Sequence, residues 1–145
     1  MSAIFAHLSD NMRMQAIELA TPRNRVETLF SDMTIGEAIK VIEKKKFQMI
    51  PVIERDSKRY LYSVSAGDIL RKVLKEKDLN KVLADPISSL SIERLIVACS
   101  KETEISELIY LVVNQNFVPL VDSAGVLQGI VTRRAIIDHL ASQGE

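Results

Sequence analysis

The feature that most constrains this chain is an internal repeat. Ile35-Gly36-Glu37-Ala38-Ile39 returns as Ile105-Ser106-Glu107-Leu108-Ile109, so the architecture is two like-built units rather than one continuous pattern. Each copy opens a stretch with apolar residues at helical spacing: Ile35, Ala38, Ile39 and Ile42, then Ile105, Leu108, Ile109 and Val112. That spacing predicts two amphipathic helices. Thr34, with Glu37 three residues later, forms a capping box at the first. A short β-branched strand led by proline follows each helix, Ile50-Pro51-Val52-Ile53 and Val118-Pro119-Leu120-Val121. Proline is tolerated at a strand start, where its missing N–H is not needed.

Turn residues come next, Arg55-Asp56-Ser57-Lys58 and Asp122-Ser123-Ala124-Gly125, side chains that close turns through their own hydrogen bonds. They lead into second strands at Tyr60–Val64 and Val126–Val131, which end at Ser65 and Thr132. Either hydroxyl can cap the following helix, Ala66–Leu74 or Arg133–Leu140. Each repeat also carries a leading strand, Val26–Phe30 in the first and Leu95–Cys99 in the second. Between them Glu76–Glu93, with Asp85-Pro86 and the serines Ser88, Ser89 and Ser91, breaks the regular pattern and is expected to be a linker. The resulting division is an N-terminal helix over 1–23, a repeat over 24–77, a linker over 78–93 and a second repeat over 94–145. Ile4, Phe5, Leu8, Met12 and Ile17 make the apolar stripe of the leading helix. That stripe must pack on the pair's own body or on a second copy of the chain.

Composition narrows the choice of partner. Lysine plus arginine and aspartate plus glutamate number 19 each, so no net field draws a polyanion, and nucleic acid is not expected. An apolar share of 47% over 145 residues is ample for a core. The single cysteine, Cys99, follows Leu95-Ile96-Val97-Ala98 and reads as a small buried hydrophobe. Arg13, Asp10 and Glu18 interrupt the opening segment, so neither a signal peptide nor a membrane span is expected there. A cytoplasmic protein is the corresponding expectation. His7 and His139 have no cysteine or carboxylate cluster at ligand spacing, and no metal site is expected. Lys44-Lys45-Lys46 ends the first helix, where positive charge suits the negative end of the dipole.

The order strand, helix, strand, strand, helix, repeated with proline-led strands and a Ser/Thr cap after the third strand, resembles the CBS domain family over about residues 24–141. The resemblance implies an α+β fold of two β-α-β-β-α repeats related by a pseudo-twofold axis, here with an extra N-terminal helix. It also implies two clefts that take adenosine derivatives, each floored by one repeat and completed by the Ser/Thr-x-x-Asp motif of the other. One cleft would then use Arg25, Val26, Glu27, Thr28, Met49, Ile50 and Pro51 with Thr132, Arg133 and Arg134. The other would use Val97, Ala98, Phe117, Val118 and Pro119, beside Ile96, with Ser65 and Asp68. Ser65-Ala66-Gly67-Asp68 matches the ribose motif in full. Thr132-Arg133-Arg134-Ala135 departs from it, alanine replacing the aspartate, and Tyr62 stands where Gly129 of the second repeat matches the family's glycine. A side chain of that bulk would narrow the neighbouring cleft. The short length, the lone pair of repeats, the leading helix and the Thr-Arg-Arg triplet resemble the small CBS proteins of Gram-positive bacteria that bind cyclic di-AMP.

The residues themselves leave two readings open. Ser65 and Asp68 stand at N-cap and N3 of a helix, where a hydroxyl and a carboxylate bond exposed backbone N–H groups with or without a ligand. Arg133 and Arg134 occupy a first helical turn, where the dipole disfavours each cation by about 0.3–1 kcal/mol. A phosphate would offset that, and so would plain solvation. The apolar residues named for both clefts are candidates for the core as well.

The expected function is a regulatory sensor with cyclic di-AMP as ligand. The alternatives are an AMP, ADP or ATP sensor and a ligand-free interaction module. A homodimer and a regulated enzyme or other protein partner are implied by the resemblance. No enzyme is expected, because the chain has no Gly-rich phosphate loop, nucleophile elbow or cluster of catalytic acids and bases.

Overall fold

The computed structural model describes residues 13–45 and 49–143. The chain divides into two compact units, Glu27–Leu95 on one side and, on the other, residues up to Val26 together with Ile96 onward.

In the Glu27–Leu95 unit the proline-led segment forms β3, Met49–Ile53, the central strand of three. It pairs in parallel with β2, Leu29–Phe30, and antiparallel with β4, Tyr60–Ser65. Helix α1, Ile35–Lys45, carries the predicted capping box: the Thr34 hydroxyl accepts from the Glu37 amide at 3.1 Å, and a Glu37 carboxylate oxygen accepts from the Thr34 amide at 3.1 Å. Helix α2 spans Ala66–Glu76. Leu29, Ile35, Ile50, Val52, Val64 and Ile69 form the core with Val82, Ile87 and Leu90. Those last three correct the expectation of an irregular linker. Asp78 caps a short helix α3, Leu79–Ala84, by accepting from the Lys81 amide at 3.2 Å. The buried face of α3 completes this core rather than tethering it.

The second unit repeats the plan with one addition. Its central strand β6, Phe117–Val121, pairs in parallel with β5, Cys99–Ser100, and antiparallel with β7, Leu127–Thr132. The ladder of β3 and β4 shifts register between Val52 and Ile53, and that of β6 and β7 between Leu120 and Val121. The same register sets Tyr62 opposite Val52 and Gly129 opposite Leu120, so these two positions correspond. Helices α4, Ile105–Val112, and α5, Arg133–Gln143, cover the sheet. The addition is β1, Thr21–Pro22, which joins the edge of β7 antiparallel, with Pro22 opposite Gly129. A Cβ at position 129 would lie 2.5 Å from the Thr21 carbonyl oxygen, so glycine is required by the strand that lies against it.

Two expectations are corrected in length and one in kind. The leading strands are shorter than Val26–Phe30 and Leu95–Cys99, because only Leu29–Phe30 and Cys99–Ser100 reach a partner strand. Residues 13–23 form no α-helix; Ala16–Leu19 is a 3-10 turn whose Ala16, Ile17 and Leu19 pack on the second unit's core. Ile4, Phe5, Leu8 and Met12 of the expected leading helix, like His7 and Lys46, lie outside the described residues.

Candidate functional site

The Thr-Arg-Arg triplet starts α5. The Thr132 hydroxyl accepts from the Ala135 amide at 3.0 Å, and the Arg133 amide donates to the Asn116 carbonyl at 2.7 Å. Two of the early amides of this helix, those of Arg133 and Ala135, are therefore already taken. The two arginines differ. Arg133 donates from Nε to the Val112 carbonyl at 2.6 Å and from a terminal nitrogen to the Val113 carbonyl at 3.4 Å. Its charge thus sits at the C-terminal end of α4, where a cation is favoured. The conflict expected from its place in α5 is resolved by the neighbouring helix, with no phosphate required. The Arg134 side chain is 90% exposed, and its one ion pair among the described residues is a 3.8 Å contact to Asp138 one turn on, an exposed pair of little strength. Both arginines border an open depression of ≈ 500 Å³ with Asn116, Thr132, Ile137 and Asp138.

In the other unit the predicted ribose motif forms a closed capping box. Ser65 Oγ accepts from the Asp68 amide at 3.1 Å, and Asp68 Oδ2 accepts from the Ser65 amide at 2.8 Å. Asp68 is 4% exposed, and its other oxygen is held by Arg71. Arg71 in turn reaches Glu93 at 3.3 Å. The helix-capping role is therefore realised in full. Asp68 also lies at the edge of a depression of ≈ 300 Å³ lined by Arg71, Lys72, Lys75, Glu76 and Ser89 among others. Arg71, Lys72 and Lys75 were not among the expected site residues. Their signal is the spacing 68, 71, 72 and 75, which puts all four on one helical face.

The apolar floor residues divide. Ile50 and Val118 are core residues, and Pro51, Phe117 and Pro119 are buried as well. Met49 and Ala98 are half-buried, and Val97 is 49% exposed. Strand register sets Met49 directly opposite Ser65, and Phe117 directly opposite Thr132, so within each unit one of the residues expected to floor a cleft stands beside that unit's own hydroxyl cap. Val26, Glu27 and Thr28 are half-buried in the approach to β2. Arg25 is exposed, whereas Arg23 two residues earlier is the one tied down, donating to the Leu127 carbonyl at 3.2 Å. Tyr62 packs against the core of its own unit with its hydroxyl enclosed and without a hydrogen-bond partner among the described residues. Cys99 is half-buried, and burial, then the nearby Glu107 carboxylate, pushes its thiol above the usual range. Among the described residues no group of three or more histidine, cysteine or carboxylate side chains is placed to hold a metal ion. Nor is any described helix long and apolar enough to cross a membrane.

The sequence profile of the CBS domain matches residues 16–75 and 88–142. The chain belongs to the CBS domain family. Its fold is similar to a crystal structure of CbpB in complex with c-di-AMP, with a TM-score of 0.85 at 17% identity, covering 99% of this chain and 95% of that one. It is similar also to CbpB of Listeria monocytogenes in complex with c-di-AMP, TM-score 0.74 at 20% identity over 85% and 92% of the two chains. CBSX2 in complex with AMP aligns at TM-score 0.68 and 20% identity over 88% and 97%. No curated protein matches the sequence. The first CBS match begins at residue 16 and so takes in the 3-10 turn and β1, which pack with the second CBS repeat. The second begins at residue 88, within the 3-10 turn Ile87–Ser89 that packs with the first.

Proposed function

We propose that this CBS pair is a regulatory module that binds an adenine nucleotide, cyclic di-AMP before others, and reports its occupancy to a partner protein. The observation that carries the reading is Arg134, an exposed guanidinium with only a weak contact to Asp138 among the described residues, on the rim of an open depression at a helix start. A phosphate there gains a charge-assisted, forked contact that water does not supply. Arg133 keeps donors beyond the two that hold α4. Arg25, Val26, Glu27, Thr28, Met49, Ile50 and Pro51 are further candidate contacts. The likeness to c-di-AMP complexes of CbpB supports this choice of ligand.

A second reading is favoured by the cationic depression beside Asp68, with AMP as ligand and Arg71, Lys72 and Lys75 as phosphate contacts. The likeness to CBSX2 with AMP supports it. A homodimer or an enzyme partner fits both readings, since Leu70 and Leu74 on α2, and Val113 and Ile137 in the second unit, are large exposed apolar side chains.

Isothermal calorimetry of the parent chain, Arg134→Ala and Lys75→Ala with cyclic di-AMP and AMP separates the readings. Loss of cyclic di-AMP heat in Arg134→Ala alone supports the first, and loss of AMP heat in Lys75→Ala alone supports the second. Silence of the parent chain with both nucleotides refutes the two together and leaves a ligand-free interaction module.

A further inference from the structure

Asp68 borders a depression in the Glu27–Leu95 unit, yet its carboxylate is not open to it. The side chain is buried, one oxygen accepts from the Ser65 amide, and the other is held by Arg71, which lines the same depression. Gly67 leaves room for that contact, since a Cβ there would stand 3.3 Å from a terminal nitrogen of Arg71. The Arg71 side chain is itself half-exposed, and its Nε meets the exposed Glu93 at 3.3 Å. One guanidinium is thus shared between a buried carboxylate and an exposed one. The second repeat changes both positions together: Ala135 stands for Asp68 and Asp138 for Arg71. Where the buried carboxylate is missing, so is the arginine that covers it.

A buried carboxylate needs a charged or hydrogen-bonding partner, and a ligand hydroxyl reaches this one only if Arg71 swings out. A neutral hydroxyl is a weaker donor to a carboxylate than a guanidinium, so a sugar by itself loses on the exchange. A ligand that also brings a phosphate gives the released guanidinium a forked, charge-assisted partner in the same depression. The tether to Glu93, an exposed pair of little strength, does not hold Arg71 back. We infer that Arg71 is an exchangeable latch: it covers Asp68 until a nucleotide arrives and then moves to the phosphate, so the site admits AMP and turns away the unphosphorylated nucleoside. The inference rests on the AMP reading above and adds to it the residue that selects nucleotide over nucleoside.

The test is calorimetric titration of the parent chain, Arg71→Met and Arg71→Lys with AMP and with adenosine. The parent should bind AMP more tightly than adenosine by about tenfold or more. In Arg71→Met the affinity for AMP should fall by about tenfold, while that for adenosine rises by about three- to tenfold, because the hydroxyls now meet an acceptor left without its partner. Arg71→Lys keeps a cation without the fork and should move both affinities in the same directions by less. A substitution that acts only by loosening the fold lowers both affinities together and so cannot give this pattern. Should Arg71→Met fail to fold, Arg71→Lys carries the test: its ratio of AMP to adenosine affinity is expected to fall by about threefold or more, and an unchanged ratio overturns the latch. Adenosine affinity unchanged or lowered in Arg71→Met overturns it too, leaving Arg71 a plain phosphate contact or a structural one. A parent chain that binds AMP and adenosine alike has the same consequence. A parent chain that gives no heat with AMP overturns instead the AMP reading on which the latch depends.

Discussion

Arg133 and Arg134 are neighbours in sequence and meet different surroundings. Arg133→Ala removes the donors that hold the last carbonyls of α4, so unfolding stability should fall by about 1–2 kcal/mol in urea denaturation. Arg134→Ala removes only an exposed i,i+4 contact and should leave stability within about 0.5 kcal/mol, while cyclic di-AMP affinity falls by about tenfold or more. The adjacency of two arginines in a first turn is legible in sequence. Which of them is committed is not, because the answer lies in carbonyls of a helix twenty residues upstream. Cys99 carries a residue-scale prediction too. Burial and the Glu107 charge hold its thiol above the ordinary value, so little thiolate exists near neutral pH and it should react with iodoacetamide more slowly in the native chain than in urea. Equal rates would show the thiol to be open.

Among the elements, those with a long period or a cap were legible: α1 from its i, i+3, i+4 stripe and Thr34–Glu37 box, α2 from Ser65, β3 and β6 from their β-branched runs behind proline. The shorter elements were not. Helix α3 has only six residues, too few for a period to show, and its sequence lies among the turn formers that made Glu76–Glu93 read as a linker. Its worth is measurable: Val82 is wholly buried, so Val82→Ala should lower unfolding stability by about 2 kcal/mol. A loose linker would lose almost nothing. Strand β1 is two residues long and contains proline, which argues against a strand from sequence alone. The sign of it was Gly129, which reads as a family feature and in fact makes room for the Thr21 carbonyl. Gly129→Ala should therefore displace β1 and cost about 1–3 kcal/mol, with faster hydrogen exchange confined to Thr21 and its neighbours at low urea. An unchanged urea midpoint would contradict the packing described for that edge.

For the molecule as a whole, the two like-built units followed from the internal repeat and their α+β class from the resemblance to the CBS family, whereas the allotment of flanking chain to each repeat did not. The segment before Val26 closes the sheet edge of the second repeat, and the segment between the repeats completes the core of the first. Neither relation leaves a periodic trace, since both depend on contacts between residues far apart in sequence. The candidate site was legible to the same extent: hydroxyl caps and arginines stood out through local pattern, while Arg71, Lys72 and Lys75 emerged only once the helix face was known. Whether this pair of repeats takes up an adenine nucleotide is read from thermal unfolding with separate additions of cyclic di-AMP, AMP, ATP and cyclic di-GMP. A ligand present at about a hundred times its dissociation constant adds roughly 2.7 kcal/mol to the native state, so the midpoint should rise by several degrees with cyclic di-AMP and stay unmoved by cyclic di-GMP. A midpoint that no adenine nucleotide moves at millimolar concentration would contradict the nucleotide reading.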